Sequence, residues 1–332
     1  MMMVLVHTQF SVYGSLFVNM FHMPLFFFFS GYCFKDKYLT DFRGYAKRRI
    51  DGIYKPFVKW SLIFLLFHNV LFYLNIYNDK FVYAGKVSHI YSYSEFVVNG
   101  FRIVTSLFGS EQLLGGYWFL HALFFASLFF YAIVRISHKY IGGGILLLTF
   151  SSLIFVSKEF MIPYWHIDGK VLLATIFMFA GYEYKKSGMA IENQCWAIPI
   201  GFLLVYAGTK YWCCNMLSLT WQKEIPYIIS AISGTIMVFS VSRIVVKMNI
   251  ARRMLVYIGD NTLEILTWHF LCFKVVSLMI VKYYNLPMTS LAEFPTITTY
   301  TIEGWWIAYF FTGIAVPMAG CWIMDKIKGK II

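Results

Sequence analysis

Charged residues are scarce in this chain of 332 residues, at 13% of the sequence against roughly 25% in soluble domains. Hydrophobic residues make up 59%, and the mean hydropathy is +0.64. A soluble fold cannot cover that much apolar surface, so the soluble class is excluded. In lipid a helix satisfies its backbone hydrogen bonds internally, and we therefore predict an all-α membrane protein.

Acidic residues are fewer still, with 16 Asp and Glu against 28 Lys and Arg, for a net charge of +12. Such an excess occurs in nucleic-acid-binding proteins. Here the basic residues lie in short loops between apolar segments, where they set the orientation of membrane spans. We therefore predict the lipid bilayer, and no nucleic acid, as a partner.

Recognisable metal and nucleotide motifs are missing. The six cysteines form no CxxC pair and have no metal-ligand spacing, so we expect small buried thiols and no metal site. The sequence has no HExxH, Walker-type loop or GxGxxG. We expect no cleavable signal peptide, because the apolar run MMMVLV has neither a charged n-region nor an A-x-A site.

About ten apolar segments are long enough to suggest membrane spans. They cover residues 1–17, 19–34, 56–77, 114–134, 141–157, 170–184, 196–213, 226–245, 262–281 and 304–324. With both termini in the cytoplasm, the inner loops hold more than twice as many Lys and Arg residues as the outer loops, as expected. The outer loop near 78–113 is expected to form a lid or a short interfacial helix. We predict one transmembrane domain over 1–332.

His7 is an ionisable residue inside the first apolar segment. Such residues mark functional sites in membranes, and histidine takes and returns a proton near neutral pH. A structural alternative is a core histidine bonded to a neighbouring helix. Only six residues precede His7, so the first helix is expected to be truncated.

The second apolar segment, FHMPLFFFFSGY, begins with His22 beside Pro24. Proline breaks the helix here by removing an N–H group, and the freed carbonyl must find another partner. A broken helix next to a histidine points to a cavity, and the alternative is a packed kink. Gly31, near the end of this segment, allows close helix packing.

A cationic loop follows, with eight basic residues between positions 35 and 59. Arg48 and Arg49 lie just before the third span, and paired guanidinium groups suit a phosphate ligand. Anionic lipid headgroups would explain the same charge.

Two later segments carry further candidates. Trp118 opens the fourth span and either joins an interfacial aromatic belt or stacks on a sugar ring. Glu264 and His269 are polar residues of the ninth span, behind the N-cap residues of Asp260-Asn261-Thr262. Five positions apart, they lie about 140° apart around the helix and do not share a face.

Four stretches together resemble the integral-membrane acyltransferase family 3, which includes polysaccharide O-acetyltransferases. They are FHMPLFFFFSGYCF, KRRIDGIYKPFVKW, YWFLHALF and IGDNTLEILTWHF, and they occur in the family's order. The resemblance extends from residue 7 to about residue 272. It implies a multi-pass protein of the bacterial cytoplasmic (inner) membrane.

The resemblance also implies an activity, the transfer of an acyl group, usually acetyl, from acyl-CoA to a hydroxyl of a surface or exported polysaccharide. His7 matches the family's catalytic histidine. Arg48 and Arg49 match the arginines that hold the phosphates of acetyl-CoA. We expect Trp118, His22 and His269 to contact the carbohydrate acceptor.

Two alternatives remain open. The first is a transporter that moves a polysaccharide or lipid-linked sugar, since broken helices at the bilayer centre also occur in transporters. The second is an inactive, truncated family member. The acyl group, the sugar, the acylated position and the oligomeric state are not readable from the sequence.

Overall fold

A computed structural model describes residues 1–81, 87, 89–136, 147, 151, 161–327 and 329. Within these residues the structure is all-helical and has no β-strand, only an isolated bridge between Ile162 and Ile167. The α-helices are α1 Met2–His7, α2 Val12–Asn19, α3 His22–Tyr32, α4 Phe42–Arg49, α5 Lys55–Tyr73, α6 Tyr93–Ser106, α7 Trp118–Ile136, α8 Gly169–Lys186, α9 Ala197–Tyr211, α10 Glu224–Val245, α11 Asn249–Asp260, α12 Thr262–Tyr283, α13 Thr298–Tyr300 and α14 Trp306–Ile327. Shorter 3-10 turns and two π-helical segments, Ile50–Tyr54 and Thr301–Trp305, connect them.

Six helical stretches of the described chain are long and apolar enough to cross a bilayer. They are Val12–Tyr32, Phe42–Tyr73, Gln112–Arg135, Trp221–Val245, Thr262–Tyr283 and Thr298–Ile327. The count of ten spans and the cytoplasmic placement of both termini remain predictions. The fifth predicted span, 141–157, lies outside the described residues except for Leu147 and Ser151.

The first predicted span, 1–17, is not one helix. It is divided into α1 and α2, because Gln9 adopts a left-handed backbone with φ 55° that no α-helix continues through. The buried Thr8 hydroxyl donates to the carbonyl of Leu5 at 2.7 Å, which satisfies a group left free at the helix end. The break places His7 at the last turn of α1.

The segment predicted as a cationic loop, 35–59, is also largely helical. Asp41 caps α4 by accepting the Gly44 N–H at 2.8 Å. The lysines and arginines that follow are good helix formers, and the π-helical turn Ile50–Tyr54 carries the helix on into α5. Arg48 and Arg49 therefore stand on a helix and not on a loop.

The described chain folds as two compact units, each assembled from separate stretches of sequence. Unit 1 contains Met1–Ser15, Val58–Tyr117 and Asn249–Ile332, and unit 2 contains Leu16–Phe57 and Trp118–Met248. In unit 2, helices α3 and α8 pack backbone to backbone. A Cβ on Gly31 would lie 1.8 Å from the Met178 carbonyl oxygen, and one on Gly181 would lie 1.9 Å from that of Phe28. The close approach predicted for Gly31 is confirmed.

In unit 1, α12 packs along α14 and receives the 3-10 turn Gln112–Tyr117 on another face. The Tyr117 hydroxyl lies 2.7 Å from the hydroxyl of Thr267, and Thr267 in turn donates to the Leu263 carbonyl. This hydrogen-bonded chain fixes the rotation of α12. It directs His269 toward the interior of the unit, where it is fully buried.

Unit 1 also contains a buried ion pair that the sequence did not indicate. The His68 Nδ1 lies 3.1 Å from the nearer carboxylate oxygen of Glu111, and its Nε2 lies 3.0 Å from the His89 carbonyl oxygen. The Tyr91 ring stacks on the imidazole at 3.5 Å. Each ring nitrogen therefore faces an oxygen atom, and these two contacts fix the orientation of the imidazole.

The predicted outer loop 78–113 contains an amphipathic helix, α6. Its capping box pairs Ser92 with Glu95. Hydrogen bonds from the Ser92 backbone N–H, the His89 ring and the Ser92 hydroxyl lower the pKa of Glu95 to about 2. Val98 and Phe101 are exposed on its apolar side, an arrangement typical of helices that lie in the bilayer interface.

We predict that removing one partner of the His68–Glu111 pair lowers the stability of the protein more than removing both partners. Because Glu111 is 1% exposed, Glu111→Leu leaves the imidazole without its counter-charge and should cost about 3–5 kcal/mol. The measurement is the midpoint of thermal unfolding in detergent. Adding His68→Leu removes the orphaned charge and should recover most of the loss, and a double variant no more stable than Glu111→Leu would contradict the ion-pair interpretation.

Candidate functional site

His7, the predicted catalytic residue, lies in unit 1 at the end of α1 and is half-buried. Its ring stacks on that of His269 with centroids 5.5 Å apart, and it meets the ring of Phe270 edge-on at 4.8 Å. Two residues that lie far apart in the sequence therefore form one imidazole pair. The aromatic ring of Phe270 limits how far the His7 side chain can turn.

His269 is held in one tautomer by the backbone of its own helix. Its Nδ1 lies 2.8 Å from the Ile265 carbonyl oxygen and 3.1 Å from that of Leu266. A carbonyl only accepts, so Nδ1 carries the proton and Nε2 keeps its lone pair. This Nε2 is buried and has no hydrogen-bond partner among the described residues. A buried acceptor without a donor is costly, and a substrate hydroxyl has the chemistry to satisfy it.

Close packing fixes α1 against α14 beside this pair. A Cβ on Gly313 would lie 2.5 Å from the Phe273 ring and 3.0 Å from the Val4 side chain. Val4 is fully buried one turn before His7. The position of the imidazole therefore depends on the absence of a side chain at position 313.

A lysine on α12 orders the loop next to the pair. The Lys274 ammonium is buried and donates to the carbonyls of Leu291 and Glu293 at 2.9 and 2.8 Å. The loop then places Phe294 against Phe270, with ring centroids 4.6 Å apart. The sequence gives no indication of these partners, because they are backbone atoms.

The predicted phosphate-binding residues lie in unit 2 at the end of α4. Arg48 is exposed and lies 5.6 Å from the centroid of Tyr38, while Arg49 lies 4.9 Å from that of Tyr45. Neither arginine forms an ion pair among the described residues. The Nε of Arg49 is buried without a partner, so a donor is held ready for an anion.

Aromatic rings support the two guanidinium groups. Tyr45 is buried, donates to the Ser127 carbonyl at 2.9 Å and stacks on Tyr131 at 5.1 Å. A planar guanidinium group stacks well on such a ring. This aromatic support was not predicted, although the regular recurrence of tyrosine around the basic residues was a signal for it.

His22 occupies the helix break that the sequence predicted. The α2 helix ends at Asn19, and His22 is the first residue of α3, so Pro24 falls in the first turn, where its missing N–H is no loss. The His22 Nδ1 donates to the Val18 carbonyl at 3.0 Å. This bond satisfies the broken helix and gives His22 a structural role, while contact with a carbohydrate remains a prediction.

Trp118 is the first residue of α7 and packs half-buried against the core of unit 2. One turn later the His121 Nε2 lies 2.7 Å from the Trp165 carbonyl oxygen. Among the candidates, the structure brings together His7 and His269 in unit 1. It places Arg48, Arg49, His22 and Trp118 in unit 2.

A family model described as an acyltransferase domain matches residues 1–326. The chain belongs to acyltransferase family 3. No curated protein and no solved structure matches it. With the apolar helices, this membership makes the protein a multi-pass membrane acyltransferase, and the sequence-based recognition of the family is confirmed.

We predict that enlarging Gly313 disturbs the His7 pair while a matched change nearby does not. In Gly313→Val the new side chain collides with Phe273 and Val4, and overpacking of this kind costs about 1–3 kcal/mol. In Gly320→Val, on the same helix, the new Cβ has no atom within 4 Å. Thermal unfolding should therefore show a lower midpoint for the first variant only, and equal midpoints would rule out the proposed packing.

Proposed function

We propose that this protein transfers an acetyl group, or another small acyl group, from acyl-CoA to a hydroxyl of a surface or exported polysaccharide. The observation that carries the proposal is the imidazole pair of His7 and His269 in a chain of an acyltransferase family. The proposed location is the bacterial cytoplasmic membrane.

His7 is the proposed catalytic residue, because acyl transfer needs a group that takes up a proton and returns it. An imidazole can do both near neutral pH. The acceptor hydroxyl gives its proton to the imidazole, its oxygen bonds to the thioester carbonyl carbon, and the carbon–sulfur bond breaks. The imidazolium then returns the proton to the leaving thiolate, so CoA departs as a free thiol. In a relayed route the imidazole itself carries the acetyl group between the two substrates.

His269 is the proposed partner of the acceptor. Its buried Nε2 lone pair accepts the hydrogen bond of a carbohydrate hydroxyl, while the Nδ1 bonds to Ile265 and Leu266 prevent the ring from changing tautomer. Trp118 and His22 are proposed to add further contacts with the carbohydrate.

Arg48 and Arg49 are the proposed binding residues for the phosphates of acyl-CoA. Their guanidinium groups have no carboxylate partner among the described residues, and the buried Nε of Arg49 has an unused N–H. Charge-assisted hydrogen bonds from arginine are the strong form of phosphate contact.

His7→Ala should abolish acyl transfer, with a loss of at least about a hundredfold, because general acid–base catalysis contributes that much or more. The measurement is the recovery of radiolabel in carbohydrate after membrane vesicles with the protein receive labelled acetyl-CoA. Added imidazole should restore part of the rate in His7→Ala. Full activity of a folded His7→Ala protein would contradict both the direct and the relayed route.

Replacing the two arginines should weaken binding of acyl-CoA and leave the chemical step largely intact. For Arg48→Ala and Arg49→Ala we expect the KM for acetyl-CoA to rise about tenfold or more each, the value of a hydrogen bond to a charged group. Arg43→Ala, on the exposed surface of the same helix, is the matched control and should leave KM unchanged. An equal rise in all three variants would indicate a general charge effect and no phosphate site.

A further inference from the structure

Unit 1 contains a cavity of about 700 Å³ whose lining includes neither His7 nor His269. It lies where the beginning of α5, the beginning of α12 and the end of α14 meet. Glu264 lines it and His269 does not, as their angular separation on α12 predicted. The cavity is therefore on a different face of α12 from the imidazole pair.

The walls of this cavity are apolar over most of their length. They include Leu271 and Val275 of α12 and Val316, Pro317 and Gly320 of α14. From Asn261 to Val275 the cavity follows α12 for roughly 20 Å at 1.5 Å per residue. That length is suited to a hydrocarbon chain lying parallel to the helices.

One end of the cavity is polar and carries an excess of negative charge. Glu264 and Asp325 line it together with a single cation, Lys59. Neither carboxylate forms an ion pair among the described residues. Asp325 lies in the last turn of α14, where the helix dipole disfavours an anion. This end of the cavity therefore suits a positive group from outside the chain.

Two tryptophans lie beside the polar end of the cavity. Trp60 and Trp268 meet edge to face with centroids 5.0 Å apart, and the Trp268 Nε1 donates to Glu264 at 3.2 Å. The Lys59 ammonium lies 4.4 Å from the centroid of Trp60, so that ring already contacts a cation of the chain. The Glu264 carboxylate can accept further N–H donors. An ammonium group with N–H donors suits this carboxylate, and Lys59 suits a phosphate next to the ammonium.

We propose that this cavity binds phosphatidylethanolamine, with the ammonium between Glu264 and Asp325, the phosphate on Lys59 and one acyl chain along α12. The ammonium of this lipid has three N–H donors for two carboxylates that have no cationic partner. Phosphatidylcholine has a cation without N–H donors, and phosphatidylglycerol has no cation. The order of preference is therefore phosphatidylethanolamine first, with the other two well below it.

The test is native mass spectrometry of the purified full chain, released from detergent that contains equal amounts of the three lipids with the same acyl chains. The wild-type protein should retain phosphatidylethanolamine in about tenfold excess, the value of one charge-assisted hydrogen bond. Glu264→Gln with Asp325→Asn should abolish this excess. The control pair, Asp79→Asn with Glu303→Gln, removes two exposed carboxylates of unit 1 that do not line the cavity and should keep it.

A third variant tests the apolar part of the cavity without touching its charges. Gly320 lines the cavity and a Cβ there has no atom within 4 Å, so Gly320→Leu adds apolar bulk at the cavity wall and should reduce retention of all three lipids. Equal retention of the three lipids by the wild type would overturn the proposal. Preference for phosphatidylcholine or phosphatidylglycerol, or an unchanged preference in the charge-removing pair, would overturn it as well.

Discussion

Carbonyl groups freed inside apolar segments need a donor, and in this protein side chains supply it. The hydroxyl of Thr8 serves the end of α1, the ring of His22 serves the break before α3, and the ammonium of Lys274 serves the loop after α12. In a bilayer no water is available for this purpose. These three irregularities of the backbone are therefore each tied to one polar residue.

The two histidines of the pair are positioned by different kinds of contact. His269 is held at Nδ1 by two carbonyls of its own helix, so its orientation is set as soon as α12 forms. His7 is the last residue of a six-residue helix, α1. It is positioned by the packing of Val4 of α1 beside Gly313 of α14 and by the ring of Phe270. One imidazole is fixed by local hydrogen bonds and the other by contacts between distant parts of the sequence.

Much of this could be predicted from the sequence, and the misses have a common cause. The helical class, the family, the break beside His22 and the packing role of Gly31 all follow from local patterns of apolar residues, proline and glycine. The His68–Glu111 pair was missed because its members lie in a span and in a loop, and only the fold joins them. The division of segment 1–17 was missed because Gln9, at φ 55°, carries no strong turn signal. Asn261 was expected to cap α12, but its side chain donates back to the Tyr257 carbonyl, because α11 ends directly before it.

The composition of unit 1 has a consequence for how the protein is made. Its segment Met1–Ser15 is synthesised before Asn249–Ile332, the segment that holds His269 and Gly313. Until that later segment has been synthesised, α1 lacks the surface on which it packs. Contacts so distant in sequence form late, so His7 reaches its final position only after Gly313 has been synthesised. A nascent or prematurely terminated chain contains the histidine but not the environment that orients it.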